Sequence, residues 1–447
     1  VRATVSAATV SFVALSFMPC SARANGRFPA ANQISLSPSD PDLLVVRATY
    51  GLLQSSDHGA HWTFLCEEAL GLPPGADYDP AIGLTASESL VVGLIDPPGL
   101  EVSPDTGCNW SCLGGALDDE AIADIAVRPD APHSVVALTS TGYVDDAGGG
   151  EHSQVFESTD DGQHFEPLGT AIDPAVLVTT IEVATSDPQR LYVSGGRGFG
   201  PTRTAALFVS MDQGTTWVER TAPIDLAYES AIYIGGVDPV DADRVYLRTG
   251  GIGTSGLGHS RLLVTTNAGE SFQIVLELSG QMLGFTLSPD GSEIYAGSVE
   301  DGLFAGDRSS LAFVHRSTIH VECLAAHANE LWACADQASG FFVGLSTDNG
   351  ATFTAKLQRA GVEAPIACAS QGAASVACGA DANAAQCAGA PFAQLCMTVG
   401  CEQSSHSSCH CSAAGLGRPQ AAGLLAFGLG AALWLSRRRR LATHRPE

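Results

Sequence analysis

Lysine is nearly missing from this sequence: Lys356 stands alone beside 21 arginines. That bias fits an alanine-, glycine- and arginine-rich composition and by itself carries no mechanism. Basic residues of either kind are few, 22 against 48 acidic ones, for a net charge of −26. A surface so acidic repels phosphate backbones, which excludes nucleic acid as a partner. Tyrosine is also scarce, eight in 447 residues. Apolar runs with targeting character stand only at the two ends.

What those ends contain points to export. Arg2 is followed by an apolar stretch, residues 10–18, and then by Ala22-Arg23-Ala24, the small-x-small pattern after which a signal peptidase cuts. Residues 1–24 are expected to be a signal peptide, with Cys20 discarded inside it. Toward the other end, residues 421–435 are uncharged and mainly apolar, and Arg437, Arg438, Arg439 and Arg440 follow almost at once. The stretch is short against the roughly 20 residues a spanning helix needs, and residues 418–420 bring it to the margin. An arginine cluster after an apolar stretch stops transfer and keeps its own side in the cytoplasm. The expectation is a transmembrane helix with its arginine cluster over 418–440, a cytoplasmic tail over 441–447, and everything earlier outside the cell. Without the two ends, 14 basic residues face 47 acidic ones, about −33.

Thirteen cysteines become twelve after signal removal, an even number in an oxidising compartment, so disulfides are expected. One pair follows from geometry. Cys323 and Cys334 flank the loop His327-Ala328-Asn329-Glu330, and pairing Ala326 with Leu331 sets the two cysteines directly opposite, as a cross-strand bridge requires. Cys368, Cys378, Cys387, Cys396 and Cys401 form a spaced ladder in an alanine-, glycine- and serine-rich segment that reads as a low-complexity stalk over residues 366–417. His406, Cys409, His410 and Cys411 crowd four candidate zinc ligands into six residues without two separated pairs, so no metal site is expected there. Asp238, Asp241 and Asp243 suggest calcium, but the matching turn of the first repeat, Ser39-Asp40-Pro41-Asp42, shows that turn chemistry explains them better. No cofactor is expected.

Between the ends the dominant signal is self-similarity. One pattern recurs as Ser55-x-Asp57-x-Gly59-x-x-Trp62, Ser103-x-Asp105-x-Gly107-x-x-Trp110 and Ser158-x-Asp160-x-Gly162-x-x-Phe165. It returns as Ser210-x-Asp212-x-Gly214-x-x-Trp217, Thr265-x-Asn267-x-Gly269-x-x-Phe272 and Ser346-x-Asp348-x-Gly350-x-x-Phe353. A decayed copy stands at Ala305-Gly-Asp307-Arg-Ser309, with Phe313 in the aromatic slot. The spacing describes a hairpin turn: Ser and Asp side chains bond the turn's own backbone, Gly supplies a positive φ, and the aromatic begins the next strand. Upstream of each copy lie two β-rich runs joined by a polar turn, such as residues 122–127 and 134–138, 180–184 and 191–194, or 232–237 and 245–248. Four strands per unit repeated seven times is the layout of a β-propeller. The expected fold is all-β: a seven-bladed β-propeller with four-stranded blades over residues 25–365, plus the Cys-rich stalk and the C-terminal transmembrane helix. The chain starts on an inner strand and ends on an outer one near Leu357, so no blade is shared. Residues 27–32 or the cysteine ladder after 366 are left to fasten the ring.

Two family resemblances follow from these motifs. The repeated turn resembles the Asp box (BNR-like repeat) of bacterial sialidases, sortilin-type receptors and photosystem assembly factors, which implies a structural element on the rim away from the functional face. The tail, with Cys409-His410-Cys411 ahead of a short apolar helix and an arginine run, resembles the MYXO-CTERM signal of myxobacteria. For this chain that implies recognition by a membrane sorting protease around Cys409 and Cys411, removal of the helix, and retention at the cell surface or outer membrane; a permanent single-span anchor is the alternative.

Loop lengths provide the functional clue. Between the second and third strands, repeats 3, 4 and 5 carry insertions, residues 143–154, 195–204 and 249–260, on the face opposite the boxes. They offer Asp145, Asp146, Glu151, His152, Arg197, Arg203 and His259 to a ligand. The sialidase resemblance implies an arginine triad and a Tyr-Glu pair. Arg27-Phe28-Pro29 matches an Arg-x-Pro start, and Arg248 and Arg261 are possible partners, but no Tyr-Glu pairing stands out. The expected function is therefore a non-catalytic binding or adhesion module for an extracellular protein or glycan, with a sialidase-like or other glycoside hydrolase as the alternative.

Overall fold

The computed structural model describes residues 29–73, 76–113, 115–117, 120–140, 153–198, 200–251, 259–368 and 395. All belong to the first of the chain's two units, Val1–Ser407; the second, Ser408–Glu447, lies outside them. The segments expected to be a signal peptide, most of a stalk and a transmembrane helix, with Cys409 and Cys411, therefore fall outside the described residues. Among the described residues no helix is long and apolar enough to cross a membrane.

Seven antiparallel sheets of four consecutive strands follow one another along the chain. Their inner strands are Ala31–Leu36, Ala81–Leu84, Ile122–Val127, Leu177–Val183, Glu229–Val237, Met282–Leu287 and Val321–His327. Each packs on the next, and the seventh packs on the first, so the ring is closed. A single four-stranded blade cannot bury both faces, and the hydrophobic clusters accordingly lie between blades. One joins Val136, Leu138 and Val155 of blade 3 to Ile181, Val193 and Phe208 of blade 4. The largest gathers blades 7, 1 and 2 around Trp62 and Trp332, both about 1% exposed. Stability is thus a sum over blade-to-blade interfaces.

The repeated turns join third and outer strands, and their geometry explains their composition. In all six complete copies the Gly N–H donates to the first hydroxyl at 2.7–2.9 Å. One oxygen of the Asp or Asn side chain accepts the N–H four residues on, at 2.7–3.0 Å. The glycine also wedges against the preceding blade. At Gly162 (φ +86°) a Cβ would lie 2.6 Å from Val91 Cγ2, and at Gly350 (φ +77°) 2.3 Å from Leu303 Cδ2. Blade 6 lacks this wedge and uses charge instead. Asp307 Oδ1 accepts the N–H groups of Ser309 and Ser310 at 3.0 and 2.9 Å, while Arg308 bonds the buried Asp238 of blade 5. Asp238 Oδ1 also caps its own turn through Val240 N at 3.0 Å, and Asp243 pairs with Arg190. Asp241 Oδ1 accepts the N–H of Asp243 at 3.2 Å, so all three aspartates considered for calcium are engaged in turn bonds or ion pairs.

Closure joins the inner strands Ala31–Leu36 and Val321–His327 and is fastened further by Lys356 and the residues after it. Trp62 Nε1 donates to the carbonyl of Lys356 at 3.1 Å. Lys356 Nζ donates to the carbonyl of His58 at 2.9 Å and lies 5.7 Å from the centroid of the Trp332 ring, a cation–π geometry. The chain's only lysine is therefore a clasp between blades 7 and 1, a role its rarity in the sequence concealed. Farther on, Glu363 N and Ile366 N donate to Trp62 O and Phe64 O. Ala364–Pro365 adds a fifth, parallel strand outside Thr63–Cys66. Cys368 then bridges to Cys108 in the box of blade 2, tying the chain after the last blade to the second. Cys323 and Cys334 sit opposite each other and are bonded; Cys66 is also in a disulfide.

Substituting Gly350 by Ala adds a methyl group at positive φ against Leu303. The expected cost is roughly 2–4 kcal/mol, read as a lowered denaturant midpoint. Gly340→Ala, where φ is similar (+86°) but nothing lies within 4 Å, should cost clearly less.

Candidate functional site

On the face opposite the boxes, inner strands begin, and there six of the seven carry a register shift that leaves one residue bulged: Asn32, Ala123, Thr179, Ser230, Leu283 and Glu322. Only the strand of blade 2 pairs without one. A bulge twists the strand and re-aims a side chain, and is common beside functional sites. Between blades 4 and 5 two of these residues, Thr179 and Ser230, line an open cleft of about 260 Å³.

The cleft walls are small. Gly195 and Gly196 form one side. A Cβ there would meet Leu177 O at 2.8 Å and Thr204 O at 2.6 Å, so strand pairing at these points requires glycine. Ala175, Leu177 and Ala231 add apolar surface, Tyr233 an aromatic ring, and Arg203 a guanidinium. Arg248 lies 5.3 Å from the Tyr233 ring centroid and donates to Met282 O and Leu283 O, which ties this ring to blade 6. Beside the cleft, Leu177 and Tyr228 are 46% and 52% exposed.

Of the seven residues singled out from the insertions, Arg203 lines the cleft, and His259 packs on Tyr228 with ring centroids 5.6 Å apart. Arg197 is committed elsewhere. It pairs with Glu219 at 2.7 Å and Asp173 at 2.9 Å, and these partners raise its pKa. The strand ladder itself runs on to Arg197 opposite Thr204, so the fourth insertion is reduced to residues 198–203. Asp145, Asp146, Glu151 and His152 lie outside the described residues. Arg261 and Glu229 form a buried pair, Nε to Oε1 at 2.6 Å, with Thr249 Oγ1 on the same carboxylate at 2.7 Å. This pair fastens the base of the fifth insertion, and Asp225 N on Glu229 Oε2 at 2.6 Å holds the loop that carries Tyr228. Arg261 is therefore a structural cation.

A second group belongs to the channel side of the inner strands. Burial pushes Glu182 up to about 8, and the neighbouring Asp124 charge adds to the rise. Asp124 is itself raised by burial to about 6, against the N–H groups of Ile181 and Ile125 and the charges of Arg47 and Arg248. Its two oxygens accept Ile125 N at 3.0 Å and Ile181 N at 2.9 Å, the latter across the blade 3–4 boundary. Opposite behaviour prevails in the turns. The hydroxyl and N–H of Thr352, with the Ser346 hydroxyl, hold Asp348 at about 2.

These shifts set the pH dependence of stability. Asp348 binds its proton less tightly folded than unfolded, so its contribution is lost as pH falls through about 4 toward 2. Glu182 binds its proton more tightly when folded. Its protonated form favours the fold below the unfolded carboxyl range, and that advantage is lost as pH rises from about 4.5 through about 8. Stability is expected to peak near pH 5. Glu182→Gln should flatten the alkaline limb and stabilise the chain at pH 8 by roughly 2 kcal/mol, measured by urea unfolding across pH.

No family model and no curated protein matches this chain. Solved structures do. An ancestral GH74 enzyme aligns with a TM-score of 0.54 at 14% identity, over 73% of this chain and 46% of its own; the chain thus spans under half the length of that enzyme. YCF48 from Cyanidioschyzon merolae aligns at TM-score 0.44 and 14% identity over 68% of this chain and 92% of its own. The Cps50 (Swd1) propeller domain of Myceliophteria thermophila aligns at 0.43 and 10% over 72% and 98%. At such identities a likeness bears on the fold alone, and the fold is a seven-bladed β-propeller.

Proposed function

We propose that this chain is an exported binding module that captures an extracellular ligand in the cleft between blades 4 and 5. The observation that carries this reading is the cleft itself: a concave, glycine-walled site with an aromatic ring and one guanidinium, on the face opposite the turns. Few convergent polar groups in a largely apolar concavity are the usual composition of a ligand site. Display at the cell surface, through the 418–440 segment and with the sorting protease as a processing partner, is part of the same proposal. The signal-like start and the tail supporting it are sequence features.

Ala175, exposed at the cleft, is the position from which to block it. Ala175→Trp should leave the melting temperature unchanged and weaken ligand binding at least about tenfold, equivalent to 1.4 kcal/mol. The assay is a glycan and exported-protein array probed with the purified chain. Ligands bound equally by wild type and variant would show that the cleft is not the site.

A hydrolytic reading rests on one pair. Burial raises Glu182 to about 8 and Asp124 only to about 6, a split in the direction expected of an acid and a base. Against it, both Asp124 oxygens are occupied by strand N–H groups. Hydrolysis of a glycoside panel that disappears in Glu182→Gln would replace the binding reading; absence of turnover is the expected result.

A further inference from the structure

Arg203 is distinguished by what it lacks. Among the described residues seven arginines pair with carboxylates, and three more donate to carbonyl oxygens. The Arg203 guanidinium does neither, although the chain carries a net charge of −26. A partly buried cation lining a concavity in so acidic a protein is placed to meet an anion from outside. Charge-assisted bonds from guanidinium favour planar, two-oxygen acceptors such as carboxylate.

The rest of the cleft decides what bears that carboxylate. An extended peptide would need free strand groups to pair with, and along the two inner strands that carry Thr179 and Tyr233 three of them are taken by side chains. Ile181 N is bonded by Asp124, Ile234 N by Thr180 Oγ1 at 2.9 Å, and Ile232 O by Thr179 Oγ1 at 3.0 Å. The lining joins Gly195 and Gly196 to the Tyr233 ring in about 260 Å³. That space suits one or two hydroxyl-bearing sugar rings. We infer that the cleft binds an acidic sugar, a pyranose carrying a carboxylate, with Arg203 on the carboxylate and Tyr233 beside the ring. This inference rests on the reading of the cleft as the binding site.

The test is calorimetric titration of the full chain with galacturonate oligomers, their methyl esters and neutral galactose oligomers of equal length. Acid oligomers should bind, esters and neutral oligomers at least about tenfold more weakly, and binding should weaken between about 0.05 and about 0.5 M salt. Arg203→Gln should lose at least about tenfold for the acid form alone, with an unchanged melting temperature, and Arg203→Lys should recover part of it. Equal binding of acid and ester, wild-type affinity in Arg203→Gln, or binding only to peptides ending in a free carboxylate would overturn the inference. If neutral glycans bind and Ala175→Trp blocks them, the acidic sugar is wrong and the cleft stands. If acid oligomers bind undiminished to Ala175→Trp, both fail.

Discussion

The seam between the last blade and the first is the constraint on which the rest of this molecule depends. A ring of blades that cannot bury their faces singly has as many interfaces as blades, and one of them must join chain segments some 300 residues apart. Ala364–Pro365 crosses it to join the sheet of blade 1 as a fifth strand. Hydrogen bonds between residues 356–366 and blade 1, the Lys356 ammonium set against Trp332, and the Cys108–Cys368 bridge hold the same segment in place. The largest hydrophobic cluster lies here as well.

With the ring closed, differences among blades acquire meaning. Between blades 4 and 5 the mouth is lined by glycines at 195 and 196 and by the bulged Thr179 and Ser230, above an aliphatic cluster that joins the two blades. Both walls are held in place by groups that do not themselves line the opening: the Asp124 bond to Ile181 N, the Arg248 contact with Tyr233, and the Glu229–Arg261 pair under the fifth insertion. A site of this kind needs rigid surroundings, since its small residues supply shape but little packing of their own.

Much of the architecture was legible because the turns announce it. A hydroxyl, a carboxylate and a glycine at fixed spacing leave few geometries open, and alternating strands between such turns fix four strands per unit. The Cys323–Cys334 bridge followed from register in a hairpin, where opposite positions can be counted. Blade 6 was readable only as a decayed copy, since Arg308 does through an ion pair what glycine does elsewhere. The site was less legible. Arg203 and His259 stood out as charged loop residues, but Arg197 in the same loop turned out to be bound within its own blade. Tyr233, Thr179 and Ser230 lie on inner strands, where sequence cannot distinguish a channel-facing or bulged residue from a core one. The adjacent glycines at 195 and 196 were the available signal, because glycine inside a strand marks a close approach. Lys356 was passed over because its role depends on a partner far away in the chain.

Whether closure holds the distant cleft together is measured most directly by hydrogen exchange on the full chain carrying Lys356→Met and Cys368→Ser. Loss of protection that reaches the inner strands Leu177–Val183 and Glu229–Val237, across the ring from the seam, is the expected result. Loss confined to the first and seventh blades, with those two strands as protected as before, would contradict it.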